Sequence, residues 1–448
     1  MLLVTGAALM VCMDPARRVL RGAGIALDGR RITAIGPDAD LRAAYPGVEE
    51  FDVDGGWITP GMINAHQHLT GDRLARCTIP DDLAPGVSIF GWAVPLHAHH
   101  QPADDELSAM ASCAESLRNG VTFVVEAGTV AHPERVANGM KALGIRGTLG
   151  TWGWDIEEGP FTAPAAEVLD RQRAVVAAYP NGEGLVTGWV TLVGHDLMSD
   201  ELLVGASSLA REQHTRLTFH ISPTTSDPQQ WLARTGMRPL VHFDRLGALG
   251  SHVLLAHALH LDDQEVDVVL QCDVAIAYCP WAYLRLGQGA SVATRHAEVV
   301  ERGGRVALGC DSENAGDQLD ILRAAALAAG LQKDLSMDPT RFGAVDVFEM
   351  ATIGGARAVG REHDLGSIEV GKLADLVVHD TRGANWQPRG NDPYLQLVWG
   401  TDGRSVRHVV VDGVVVVRDR ACTQIDEPRL AVDVHAAGRS LLSRAGLG

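Results

Sequence analysis

Eight short runs rich in Val, Leu, Ile and Ala recur along the middle of this 448-residue chain. They are Trp57–Ala65, Val121–Glu126, Ile145–Gly150, Leu185–Leu192, Leu217–His220, His252–Ala256, Val274–Tyr278 and Arg305–Leu308. Stretches with helical spacing lie between most of them, among them Asp104–Asn119, Ala165–Ala178, Asp200–Gln213 and Asp262–Gln271. Eight strand–helix alternations over about 300 residues predict an α/β fold of the (β/α)8 TIM-barrel type rather than an open doubly wound sheet. No glycine-rich dinucleotide fingerprint and no P-loop accompany them.

The two chain ends follow another pattern. Gly24–Leu27 and Arg31–Ile35 flank Asp28-Gly29, and His408–Val411 and Val414–Val417 flank Asp412-Gly413. Asp-Gly between strand-like runs marks a hairpin, because the turn requires positive φ. Ala374–Val378 adds a further strand. Neither end holds enough strands for an independent sheet, so the two together are expected to build one small β-sandwich. The expected division is residues 1–56 and 364–425 for the sandwich, 57–363 for the barrel, and 426–448 for a C-terminal helical tail.

Charge and cysteine usage narrow the class. A formal net charge of −18 repels phosphate backbones and disfavours nucleic acid as a partner. No apolar run reaches the roughly 18 residues of a membrane span. The apolar start, Met1–Met13, has its basic residues, Arg17 and Arg18, on the wrong side for a signal peptide, and reads as a buried strand. Seven cysteines without a C-x-x-C read as thiols of a reducing compartment, with Cys12, Cys272, Cys279 and Cys310 expected to be buried. The expectation is a cytoplasmic protein, with a homodimer as the default assembly.

In such barrels, functional residues sit at the C-terminal ends of strands. The first run ends in His66-Gln67-His68, the fifth ends in His220, the sixth is followed by His257, and the eighth by Asp311. Residues two apart on a strand face one side, so His66 and His68 can present two nitrogens to one ion. Three imidazoles and a carboxylate suit a divalent ion such as Zn²⁺, with Fe, Mn or Co as alternatives. The ion would bring the pKa of bound water towards about 7, and a neighbouring carboxylate would carry its proton. A second cluster, His97-Ala98-His99-His100, reads as a loop or helix entry without a ligand role, and His260 as structural.

The segment Trp57–His68 resembles the signature of the amidohydrolase superfamily at its first barrel strand. His257-Ala258-Leu259-His260-Leu261, Tyr278-Cys279-Pro280, Leu308–Ser312 and Leu365–Leu376 are similar to its later motifs. The resemblance implies His66, His68, His220 and Asp311 as metal ligands, Asp311 also as proton shuttle, and His257 as a catalytic residue that orients or polarises. Binuclear members carry a bridging Lys or Glu at the end of strand four; Gly188–Asp196 has neither, which implies one metal ion. Ring-deaminating members carry a Glu three residues after the strand-five His, where this chain has Pro223. Proline has no proton to give. His195, Trp92 and Trp281 stand as candidate substrate contacts, with ordinary packing the competing reading for the two tryptophans.

The leading expectation is therefore hydrolysis of a non-ring carbon–nitrogen bond by metal-bound hydroxide, in an amide, urea, carbamate or modified-peptide substrate. The alternative is an aminohydrolase of a purine, pterin or triazine ring. A reading from another class is a barrel that binds without catalysis; retention of all five positions argues against it.

Overall fold

A computed structural model describes residues 1–182, 184–316 and 318–447. Its centre is a ring of parallel strands: β1 (Met62–Gln67), β2 (Val121–Glu126), β3 (Arg146–Leu149), β4 (Val186–Gly188 and Val190–Gly194), β5 (Leu217–Ile221), β6 (Val253–His257), β7 (Ala275–Tyr278) and β8 (Arg305–Leu308). Two ladders account for it, one running from β1 to the first half of β4, the other from the second half of β4 to β8. Trp189 joins them: its N–H donates to the Leu149 carbonyl, and the next N–H, from Val190, to that of Arg216. The ring closes where the Cys310 and Asp311 N–H groups both donate to the His66 carbonyl, at 3.2 and 2.9 Å. The closed sheet is the expected (β/α)8 barrel.

The sequence of each strand fits this setting. Val253–His257 and Leu217–Ile221 are buried at every position, as strands covered on one face by helices and on the other by the barrel interior must be. Helices between the strands begin at built caps. Ser199 accepts from the Leu202 N–H, and Asp262 and Glu265 form a reciprocal capping box.

Strands from the two chain ends form two further sheets. One orders Arg31–Pro37, Ala23–Asp28, Leu2–Thr5 and Glu49–Asp52; the other contains Leu9–Val11, Trp57–Pro60, Leu376–His379, Val406–Val411 and Val414–Arg418. Val4, Ile25 and Leu27 of the first pack with Met10, Ile58, Leu376 and Val410 of the second, giving the β-sandwich. The expected first run, Trp57–Ala65, is in fact two strands. Trp57–Pro60 pairs antiparallel with Leu376–His379 in the sandwich, and the barrel strand starts only at Met62. Pro60, with no N–H for a ladder, stands at the junction. Arg146, on β3, ties barrel to sandwich: its buried guanidinium lies 3.1 Å from Asp375 and 2.6 Å from Asp412.

Cys12, Cys279 and Cys310 are buried, but Cys272 is only partly so, since it caps a helix whose end faces solvent. Cys113 and Cys422 are the further buried thiols. Among the described residues no helix is long and apolar enough to cross a membrane. Helix Glu427–Ala445 lies along the loop after β1, where Leu441 packs against Leu74 and Leu96.

Candidate active site

At the C-terminal mouth of the barrel, four imidazoles and one carboxylate converge. His66 Nε2 and His68 Nε2 lie 3.5 and 3.3 Å from Asp311 Oδ1. His220 Nε2 is 3.2 Å from His68 Nε2, and His257 Nε2 is 4.0 Å from Asp311 Oδ2. Ligand-type atoms of His66, His68 and Asp311 all lie within 4.8 Å of one another, as do those of His66, His220 and His257.

The backbone is bent to achieve this. His257 (φ 73°), Asp311 (φ 64°), His195 (φ 50°) and Ser222 (φ 49°) all sit in the left-handed region, at the ends of four different strands. Such conformations cost about 1–3 kcal/mol each and collect where a site over-determines them. Gly194 (φ 79°), ending β4, is required: a Cβ there would lie 1.9 Å from the His220 carbonyl oxygen.

The protonation pattern suits a cation. The Nδ1–H of His220 donates to the Val193 carbonyl at 2.7 Å, so its Nε2 presents a lone pair to the centre. His68 Nδ1 is fixed at 2.8 Å by Thr129 Oγ1. Both ring nitrogens of His66 are buried with no hydrogen-bond partner, which is costly unless something else occupies them. Burial first, and the neighbouring imidazoles after it, hold the pKa of His220 well below the ordinary histidine value. Burial likewise keeps His257 neutral, although Asp311 opposes it. Burial would raise Asp311, but the neighbouring imidazoles of His66, His68 and His257 outweigh this and hold it well below the carboxylate range. Burial keeps His66, His220 and His257 neutral, while for His68 burial is outweighed by Asp311, which raises its pKa; this ring set around an ionised carboxylate, with orphaned nitrogens on His66, fits one divalent ion of borderline softness. Another carboxyl nearby, Glu126 at the end of β2, is engaged by the Gly128 N–H at 2.6 Å and is not among these ligand groups.

A cavity of about 120 Å³ stands over the centre, walled by Phe90, Val94, Trp152, Trp154, Pro223 and Leu286. Larger clefts, including one of about 780 Å³ beside helix Glu427–Ala445, contain none of the five converging side chains. His195 lines the cavity, its ring stacked on His220 at 5.0 Å. Trp92 and Trp281 do not. Trp92 packs with Leu74 and Leu441 beneath the C-terminal helix, and Trp281 lies outside the cavity with the Arg323 guanidinium 5.1 Å above its ring. For both, ordinary packing accounts for the position.

The cavity also contains side chains that the sequence did not single out. Trp152 and Trp154 directly follow β3, the same strand-end position that marked the histidines. Asp72 enters from the loop after β1, buried, with Oδ1 unpartnered. His97, in the segment read as a loop or helix entry, is on the short helix Val94–Ala98 and faces the cavity. Its ring lies edge-on to Trp152 at 5.2 Å and flat against Gly71, where a Cβ would be 2.1 Å away.

Residues 57–416 match the amidohydrolase family. The chain belongs to that family. This agrees with the expected metal-dependent hydrolase acting on carbon–nitrogen bonds other than peptide bonds, and with the mononuclear deaminase-like branch. A short N-terminal stretch, residues 23–47, matches the imidazolonepropionase-like composite domain of bacteria. Among amidohydrolase relatives, the 5-methylthioadenosine/S-adenosylhomocysteine deaminase of Syntrophobacter fumaroxidans is 30% identical over 98% of both chains. A zinc-bound adenosine deaminase from Xanthomonas campestris superposes with a TM-score of 0.92 at 25% identity, covering 100% of this chain and 99% of that one. The zinc complex of an atrazine chlorohydrolase from Arthrobacter aurescens has a TM-score of 0.89 at 24% identity over 98% and 100%, a likeness of fold alone. Deaminases among the relatives favour the heterocycle alternative over non-ring hydrolysis.

Proposed function

We propose that this amidohydrolase is a zinc-dependent aminohydrolase that exchanges an exocyclic amino group of a nitrogen heterocycle for oxygen, using one water and releasing ammonia. The single observation that carries the reading is one mononuclear donor set, His66, His68, His220 and Asp311, beneath a cavity walled by Trp152, Trp154 and Phe90. Flat aromatic walls suit a flat ring, and deaminase relatives across the whole chain support the same choice.

A zinc ion held by those four residues would supply Lewis acidity and acidify a water. Asp311 takes the proton of the attacking water and returns it to the departing amine. His257, with its Nε2 4.0 Å from Asp311, polarises the carbon–oxygen bond as it forms. Pro223 cannot protonate the ring. Asp72 is the carboxyl we assign to that step: it lines the cavity, Oδ1 has no partner, and burial raises its pKa above the ordinary carboxyl value. His97 and His195 complete the polar contacts around the ring. The substrate is a small molecule.

Ammonia release from aminopurines, aminopterins and aminotriazines tests this reading. One observation favours a second: Pro223 stands where ring chemistry wants an acid, and amide or urea hydrolysis needs none. That reading calls for organic amine, not ammonia, from aryl ureas and amides.

A further inference from the structure

The opposite, N-terminal end of the barrel contains a second cavity, of about 360 Å³. Arg211, Arg216 and Arg361 line it together with His214 and His252, and among the described residues no carboxylate does. In a chain with a net charge of −18, a cavity whose charged lining residues are all arginines is a departure from the rest of the molecule. Arg216 is its centre. Nη2 donates to the carbonyls of Ser251 and Ala358 at 2.7 and 3.0 Å, which fixes the guanidinium plane. Nε is buried without a partner, and Nη1 has no hydrogen bond among the described residues. Gly360 (φ 71°) leaves room for the group: a Cβ there would sit 2.3 Å from Nη1.

The surroundings strengthen the demand for an anion. Burial, then the like charge of Arg305, pull the Arg216 pKa down to about 10, against weaker attraction from Glu362 and Asp273. Burial, then Arg211 and Arg216, pull His252 to about 4, so this imidazole stays neutral with Nε2 on Ser207. Arg361 is forked onto Asp364, and Arg211 reaches the Gly247 carbonyl. A half-buried guanidinium whose Nε is buried and unpartnered, with the Trp189 ring 5.8 Å away as its other neighbour, is unfavourable without an anion, and its donors match tetrahedral oxyanions. Threonines 148, 187 and 215 add hydroxyls to the same cavity.

We propose that this floor cavity is an anion-binding site for a phosphate group, separate from the metal centre and independent of its chemistry. Phosphate could arrive free or as an ester, and the same chemistry recognises both.

Isothermal titration of the full-length protein with inorganic phosphate, against chloride at equal ionic strength, tests the site, and adenosine monophosphate in parallel distinguishes ester from free ion. The expected result is saturable one-site binding, weakened at least ~10-fold in Arg216→Met. Arg211→Ala, on the exposed end of its helix, is expected to weaken it about 3-fold and decides the matter if Arg216→Met does not fold. Metal content and turnover are expected to be unchanged in both. No saturable binding of either ligand, or wild-type affinity in both variants, overturns the proposal.

Discussion

His296 lies beneath the active site and is the residue on which the stability of the mouth can be tested most sharply. Its Nε2–H donates to the His257 carbonyl at 2.7 Å, holding the strained φ of 73° in place. Nδ1 bonds Thr294 Oγ1 at 2.6 Å, and the ring stacks on Tyr278 at 4.0 Å. Burial pulls its pKa to about 4, despite the bond to His257. Consider His296→Phe, which keeps the stacking but loses both hydrogen bonds. At pH 7.5 the orphaned His257 carbonyl costs about 1–3 kcal/mol, and the Thr294 hydroxyl, which keeps its bond from Gln332, about 1 kcal/mol more, so roughly 2–4 kcal/mol in total. The size of the deficit then changes with pH. A histidine neutral in the fold and protonatable when unfolded contributes stability above its unfolded pKa, near 6.5, that is lost as pH falls towards 4. At pH 5 the wild type has lost about 2 kcal/mol through this group, from ~1.5 decades of proton uptake at 1.36 kcal/mol each. Phenylalanine loses none. Urea unfolding of both proteins at pH 7.5 and pH 5 should therefore show the deficit of the variant shrinking by about 2 kcal/mol. An equal deficit at both pH values would refute the reasoning.

Other variants probe other joints of the structure. Arg146→Ala leaves Asp375 buried without its partner and should cost about 3–5 kcal/mol in urea unfolding. Gly194→Ala drives a Cβ into the His220 carbonyl and should lower zinc content, measured by elemental analysis, more than it lowers stability. Asp72→Asn should retain zinc yet lose about 10²–10⁴ in the rate of ammonia release, read by steady-state kinetics.

The barrel was legible because its strands are short, apolar and evenly spaced, and because their ends carry the chemistry. His66, His68, His220, His257 and Asp311 come together as their strand-end positions imply. What was hidden follows from packing between elements distant in sequence. The junction at Pro60 is visible only once Trp57–Pro60 finds its partner in Leu376–His379, over 300 residues away. Trp92 and Trp281 look like pocket aromatics in isolation, but aromatic side chains bury area wherever they lie, and only the fold says which cavity they meet. His97 sits in a histidine-rich segment between prolines that carries no strand-end signal; the close approach allowed at Gly71 brings it to the cavity. Asp72 carries no motif, and its meaning depends on burial.

The most direct test of the account joins metal and product in one experiment. Purified protein, analysed for bound metal and then incubated with the aminoheterocycle panel, should contain about one zinc per chain and release one ammonia per substrate consumed. Stripping the metal should abolish release, and zinc should restore it. Metal-free protein that turns over as fast, or a zinc-loaded enzyme that frees only organic amines from ureas and amides, would contradict the assignment.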